Sequence, residues 1–398
     1  MFIENNQANG DRERLSVAQK NINFANMAGI YIHIPFCSRK CIYCDFYSIA
    51  LRAETVDNYL KAVGREYLSR IDELNGESVS TLYVGGGTPS LLNVAQLQTL
   101  MAPIDTSSVA EATIEVNPDD VTSAMAVALR RLGFNRVSIG VQSFDDVELA
   151  LIGRRHDARK AVEAVEILRN AGFENISIDL IYGIPGQSLE SFSRSVDAAL
   201  NLRVCHISAY CMTYEEGTRL TRMRDAGKLV EVDDETCVAM YQLLVDRLKA
   251  AGYEHYEISN FALPGFRSRH NCGYWNFTPY LGLGASAHSF DGRLRRCNPA
   301  SLREYLQKIN DVGFAYDVES ETTEQLYNEW IMTRLRTADG LDLLDVGTRW
   351  GTKMEKHTRS VLSGFEKEGL VRLNADVASL TDRGVMLSDM IFRELFVV

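Results

Sequence analysis

Apolar residues in this chain follow two arrangements that alternate: short unbroken runs, and stripes spaced three and four positions apart. The runs Ile30–Ile34, Thr81–Val84, Thr113–Val116, Arg136–Val141, Ile176–Ile181 and His206–Tyr210 are bounded by breakers and predict buried strands. Between them, Val56, Tyr59, Leu60, Val63, Tyr67, Leu68 and Ile71 form a helical stripe. Ala158, Ala161, Val162, Val165 and Leu168 form a second, and Leu189, Phe192, Val196 and Leu200 a third. Strands alternating with helices argue for βα units around a parallel sheet. A weak repeat agrees: Leu132-Gly133-Phe134, Ala171-Gly172-Phe173 and Ala251-Gly252-Tyr253 each end a helix at a glycine and lead into a strand, the third near Tyr256–Ser259. Six strands fall short of an eight-stranded barrel, so the expected fold class is α/β, a partial (β/α)6 TIM-like barrel over residues 29–211.

The rhythm then changes. Residues 212–310 read as an irregular α+β connecting region. Residues 311–398 return to helices, with Leu326, Trp330, Ile331 and Leu335 in the first, a second near Leu341–Trp350, and a third over Glu355–Lys367. Two short strands, Gly369–Leu373 and Ala378–Thr381, follow and complete a winged-helix-like domain. Residues 1–28 are a polar N-terminal segment with no basic-then-apolar export signal.

Composition narrows the function classes. No apolar stretch in the 398 residues approaches the length that spans a bilayer. Forty-two basic against 53 acidic residues give a net charge of −11, which argues against broad binding to nucleic-acid backbones. Eight cysteines are too few to staple a chain of this size, so clustered cysteines read as ligands in a reducing, cytoplasmic setting.

Cys37, Cys41 and Cys44 form such a cluster, C-x3-C-x2-C, directly after the first strand. Three thiolates at this spacing can hold one face of a [4Fe–4S] cluster and leave the fourth iron open. Structural zinc is the rival reading, but it wants four ligands and no second Cys/His pair of suitable spacing is present. The strand, the loop and the triple together resemble the radical S-adenosylmethionine (SAM) proteins, and their coproporphyrinogen oxidase-like branch over residues 29–395. The resemblance implies that the open iron chelates the amino and carboxylate groups of SAM, and that one electron cleaves the sulfonium to a 5′-deoxyadenosyl radical.

It further implies a SAM site made by Tyr31, Tyr43, Gly86, Gly87, Thr88, Glu115, Gln142, Arg154 and Asp179. Gly85-Gly86-Gly87-Thr88-Pro89 follows the second strand, where glycines let a backbone approach a ligand, or simply make a tight βα turn. Glu115, Gln142 and Asp179 lie on or just after strands three, four and five, and ligand-binding residues in such barrels gather at C-terminal strand ends. Arg154 has a second reading, a surface ion pair with Asp145-Asp146. Gly282-Leu283-Gly284-Ala285-Ser286-Ala287 matches G-x-G-x-x-A, but follows no long strand and opens no clear helix, so no dinucleotide site is read from it.

Within the branch, the oxidase has a fourth cysteine two residues after the third, where this chain has Phe46, and a longer N-terminal extension. Both departures point toward a sister group of heme chaperones. His270-Asn271-Cys272-Gly273-Tyr274-Trp275 matches the H-N-x-x-Y-W pattern linked to heme in that group. His270 or Cys272 would ligate iron, with Tyr274 and Trp275 offering flat faces to a macrocycle. Alternatively, His270 and Asn271 satisfy backbone groups in a loop and Trp275 lies in the core. Cys205, Cys211, Cys237 and Cys297 read as buried small hydrophobes, and His33 as packed beside the cluster.

The expected function is therefore a heme chaperone that binds a [4Fe–4S] cluster and SAM and hands heme to an acceptor protein. Its partners would be membrane cytochromes, through peripheral contact with the membrane, and a flavodoxin or ferredoxin-type electron donor. The enzymatic alternative is oxygen-independent oxidation of coproporphyrinogen III in porphyrin biosynthesis. A zinc-stabilised DNA-binding regulator is the third.

Overall fold

A computed structural model describes residues 27–397 of the chain. The polar segment expected over residues 1–28 lies outside it, apart from Met27 and Ala28, which open the first strand. Six parallel strands appear where the apolar runs fall: β1 (Met27–Ile34), β2 (Ser78–Gly86), β3 (Glu111–Val116), β4 (Arg136–Gln142), β5 (Asn175–Tyr182) and β6 (His206–Cys211). The helices α1 (Ala53–Arg70), α2 (Val94–Met101), α3 (Ser123–Arg131), α4 (Ala158–Asn170) and α5 (Leu189–Asn201) connect them. On α1 the stripe buries Tyr59, Leu60, Val63 and Tyr67, whereas Leu68 faces solvent at 66% exposure. Leu68 sits one position after Tyr67, about 100° round the helix, and so leaves the buried face.

The glycine repeat has the conformation it implied. Gly133, Gly172 and Gly252 have φ of 92°, 90° and 87°, and each is followed by a buried aromatic, Phe134, Phe173 or Tyr253. Each helix thus stops on a left-handed residue and turns its aromatic into the layer between helices and sheet. Burying a side chain of that size favours the fold by about 1.5–3 kcal/mol.

The region expected to be irregular is in fact structured. It holds α6 (Asp234–Ala250), capped by Asp233, the hairpin β7 (Glu254–Glu257) and β8 (Asn260–Ala262), α7 (Arg269–Trp275), β9 (Tyr280–Leu283), β10 (His288–Phe290), β11 (Arg295–Cys297) and α8 (Leu302–Val312). Apart from α6 and α8 these elements are short and set among Gly and Pro, which hides their period. β9 adds a parallel strand on the free edge of β1, with Tyr31 paired to Gly282, so the glycine-rich stretch ends a strand after all. With β12 (Asp317–Glu319), the sheet has twelve strands in the order β12-β11-β10-β9-β1-β2-β3-β4-β5-β6-β8-β7 and stays open.

Under β9 lies a buried polar hub. Glu66 accepts from Arg70, Tyr305, Asn298 and the Gly284 amide at 2.7–2.8 Å, and both charged side chains are essentially inaccessible. The rest of the chain packs around a second core that includes Tyr327, Trp330, Ile331, Leu362 and Phe392. It comprises α9 (Thr323–Leu335), β13 (Leu341–Asp342), α10 (Leu343–Trp350), α11 (Thr352–Lys367), β14 (Val371–Asn374), β15 (Val377–Leu380) and α12 (Ser388–Leu395). Helices with a three-stranded β13-β15-β14 sheet give the winged-helix-like shape. This unit is joined to the barrel by a bridge from Glu257 to Thr337 and by Arg336, which donates to the buried Glu257 carboxylate at 2.8 Å. No helix among the described residues is long and apolar enough to cross a membrane.

Candidate functional site

The cysteine loop leaves β1 and is fastened from three sides. Phe36 and Cys37 pair with Ile49 and Ala50; the Ile42 amide donates to Ile152 O at 3.2 Å, and the Leu220 amide to Ile42 O at 2.8 Å. Ile42 is buried with Ile152, Ile181, Ile184, Met212 and Leu220, an apolar floor under the loop. Burial first, then the neighbouring thiols Cys41 and Cys37, push the Cys44 thiol up to about 11. All three cysteines are free thiols. Among the described residues no three His, Cys, Asp or Glu side chains are grouped to hold a single metal ion. That grouping is what zinc requires, whereas a cluster takes its thiolates on separate irons.

Gly87 packs directly against the loop. A Cβ there would stand 2.8 Å from Ile34 O and Phe36 O and 3.1 Å from Cys37 Sγ, so only glycine fits. Thr88 Oγ1 donates to Cys37 Sγ at 3.5 Å. Arg154 Nη1 lies 3.5 Å from Cys41 Sγ and its Nη2 donates to Gly140 O. Arg154 is therefore not paired with Asp145 or Asp146. Its side chain and that of Gln142 converge over Gly140, whose added Cβ would lie 3.0 Å from Gln142 Nε2 and 3.2 Å from Arg154 Nη2. Gln142 takes a left-handed φ of 71° as the strand ends, which turns its side chain over that glycine.

Behind this rim, alternate residues of β1 to β5 line the concave face of the sheet. Glu115 accepts from Tyr83 Oη at 2.8 Å and the Gly86 amide at 3.0 Å. Burial raises its carboxyl to about 7, against those two hydrogen bonds, and nearby Asp179 adds to the rise. Asp179 is raised too, again chiefly by burial, although Ser138 donates to it at 3.3 Å. Tyr31 Oη contacts His33 Nδ1 at 3.0 Å, and Tyr43 lies beside Cys41 and Arg154. Of the nine residues of the expected SAM set, Tyr43, Gly87, Thr88 and Arg154 lie against the cysteines, Gly86 and Gln142 end their strands, and Tyr31, Glu115 and Asp179 line the concave face behind them. Two desolvated carboxylates with spare lone pairs suit hydroxyl or ammonium donors, and the Gly87 cradle suits a group stacked on the loop. Tyr83, Arg136 and Ser138 also line this face and were not anticipated. Their positions on alternate strand residues were the only signal, and polar residues inside apolar runs do not declare a role.

The H-N-x-x-Y-W residues lie elsewhere. His270 is buried on α7, its Nδ1 2.9 Å from Thr81 Oγ1 and its Nε2 2.8 Å from Tyr274 Oη. Burial, with help from Arg136, lowers its basicity to about 3. Its amide and that of Arg269 donate to Glu111 at 3.1 Å, closing the start of the helix. With both ring nitrogens engaged, His270 offers no lone pair to iron in this arrangement. Cys272, whose thiol burial pushes up to about 12, is no readier. Trp275 points away from His270, under the Arg336 guanidinium at 4.2 Å, at the contact with the C-terminal unit. A cavity of about 380 Å³ borders His270 and Tyr274, at the opposite end of the barrel from the cysteines.

The other cysteines divide. Cys205 is buried as expected. Cys211 is exposed and lies with the half-buried Cys237 against Gly183, and Cys297 is half-buried, 2.9 Å from His288 Nδ1. Cys211 and Cys297 end their strands and Cys237 lies in the first turn of α6.

The open α/β barrel with a triple-cysteine loop after its first strand is a radical SAM fold, and the family model of the radical SAM superfamily matches residues 31–199. The HemN C-terminal domain model matches residues 322–387. The chain is 35% identical to the heme chaperone HemW of Bacillus subtilis, over 92% of this chain and 98% of that protein. It is 33% identical to HemW of Escherichia coli, over 92% and 97%. Coproporphyrinogen III oxidase (HemN) from Escherichia coli, a solved radical SAM enzyme, superposes with a TM-score of 0.79 at 25% identity, covering 96% of this chain and 93% of that one. The chain belongs to the HemW family within the radical SAM superfamily.

Proposed function

We propose that this protein is a heme chaperone that holds a [4Fe–4S] cluster on Cys37, Cys41 and Cys44, binds SAM beside it and passes heme to an acceptor protein. The observation that carries this reading is the end-to-end similarity to proteins named HemW. Phe46 supports it, standing 65% exposed where the oxidase pattern places a fourth cysteine. When bound, the cluster and SAM together supply one-electron chemistry.

The chain's own residues set the conditions for that chemistry. The Ile42 floor keeps water from the cluster face, and Arg154 places a fixed cation beside Cys41. Glu115 and Asp179 receive hydroxyl or ammonium groups of SAM, and Gly86, Gly87 and Thr88 leave its methionyl end room against the loop. The electron donor on this reading is a flavodoxin or ferredoxin. The acceptors are cytochromes met at the membrane surface from the cytoplasm.

The likeness to HemN favours oxidation of coproporphyrinogen III as the second reading. One experiment separates them. The reconstituted protein is incubated anaerobically with SAM and reductant, in one arm with coproporphyrinogen III and in the other with heme and an apo-cytochrome. Stoichiometric heme binding and transfer without porphyrinogen turnover is expected; formation of protoporphyrinogen would overturn the chaperone reading.

A further inference from the structure

A protein that takes up and releases heme needs an iron ligand that solvent, and hence heme, can reach. The chain has seven histidines, all within the described residues. Six have Nε2 engaged: His33 with Tyr47 O, His156 with Val141 O, His206 with Tyr256 Oη, His255 with Ile258 O, His270 with Tyr274 Oη and His357 with Leu395 O. None of these six is exposed. His288 is the exception on both counts. It is exposed, its hydrogen bond is made by Nδ1 to Cys297 Sγ at 2.9 Å, and among the described residues its Nε2 has no partner.

The register places this pair on the concave side of the sheet. His288 on β10 pairs with Cys297 on β11, while the intervening Ser289 points the other way and accepts from Arg70 of α1. Alternation therefore sends His288 and Cys297 to the face opposite the helices. Tyr31 and His33 share that face on β1, and His288 lies near enough to His33 to lower its basicity. The pair thus flanks the mouth of the candidate SAM site, on strands that extend the open edge of the barrel.

We propose that heme iron is taken up at the His288–Cys297 pair, with His288 Nε2 as the iron ligand and Cys297 as the positioning residue. The proposal rests on the chaperone reading. In the competent tautomer the imidazole proton sits on Nδ1 and donates to Cys297 Sγ, leaving the Nε2 lone pair directed outward. Iron accepts that lone pair as a dative bond, and both thiol and imidazole keep their protons. A second partner on the other ring nitrogen fixes tautomer and ring orientation and strengthens the ligand. A single neutral ligand on an exposed side chain also permits release, which six histidines with Nε2 engaged and none exposed do not.

The test is a titration of the cluster-loaded protein with ferric hemin, read by the Soret band and by electron paramagnetic resonance. His288→Ala should weaken 1:1 binding by more than about tenfold and remove the histidine-ligated spectrum, while Cys297→Ser should shift the Soret band with a smaller loss. His270→Gln, which can keep a hydrogen bond to Tyr274, should leave both spectra as in the native protein. Iron content of the cluster and far-ultraviolet dichroism report folding in each variant, and His288, being exposed, is not needed for either. Native affinity and spectrum in His288→Ala would overturn the assignment alone. Failure of the native protein to bind hemin at one equivalent would overturn the chaperone reading and this assignment with it.

Discussion

Arg154 stands with Nη1 3.5 Å from Cys41 Sγ and Nη2 2.5 Å from Gly140 O, so one guanidinium joins the end of β4 to the cysteine loop. Burial opposes its charge, but the Tyr43 and Cys41 side chains beside it more than offset that cost, and Arg154 stays a cation. A fixed positive charge here steadies the loop and offers its remaining donor, the orphaned Nε, to an anionic group. Arg154→Met should leave cluster iron nearly unchanged and weaken SAM binding by about 10–100-fold, the loss of a hydrogen bond to a charged group. Equilibrium dialysis with labelled SAM measures it, and native affinity in the variant would remove Arg154 from the site.

The two half-buried cysteine environments should respond oppositely to truncation. On the proposed reading Cys41→Ala takes away one of three cluster ligands, so reconstituted protein should lose its iron, sulfide and visible absorbance. Cys272→Ala, on α7 at the far end of the barrel, should retain all three. Iron and sulfide analysis decides the point; equal loss in both variants would mean the loop is not the cluster site.

Glu115 gives a pH prediction with a definite sign. Its folded carboxyl titrates near 7, above the ordinary value of 4.5, chiefly because it is buried. Below 4.5 the proton is held in folded and unfolded chains alike. As pH climbs through 7 the folded state must ionise a desolvated group, and stability falls by roughly 3 kcal/mol. Glu115→Gln should therefore melt higher than the native apo-protein at pH 8 and no higher at pH 5, while binding SAM poorly. Scanning calorimetry at the two pH values tests this, and an equal shift at both would exclude the carboxyl as the cause.

The Glu66 hub should dominate stability without contributing a ligand contact itself. Glu66→Ala leaves the buried Arg70 with Glu73 as its one remaining carboxylate partner and strands the Tyr305, Asn298 and Gly284 donors. The expected cost is about 3–5 kcal/mol, read as a lower denaturation midpoint in urea. A change under about 1 kcal/mol would show that water reaches the hub.

Much of the barrel was legible because its strands are buried on both faces and spell continuous apolar runs, from Ile30–Ile34 to His206–Tyr210. The cysteine loop was legible by spacing, Gly86 and Glu115 by their places at strand ends, and Asp179 as a carboxylate inside an apolar strand. β9 was not. Four residues, Tyr280–Leu283, with a glycine inside, carry too little period to separate a strand from a turn. Exposure was equally hidden: Cys211, Cys237 and Cys297 look like core residues by type, and only their places at strand ends and in a first helical turn decide otherwise. The engagement of His270 also depends on Thr81, 189 positions away, a contact no local pattern can report.

The pairing of β1 with β9 sets an order of events during synthesis. β1 meets β2 early, but its other edge has no partner until Tyr280–Leu283 emerges, roughly 250 residues later, or about 10–50 s at ribosomal speed. The cysteine loop, which follows β1, is therefore made well before the edge beside it is sealed. The nascent barrel passes through a stage with an unpaired β1 edge, and that edge needs shielding from its neighbours on the same message.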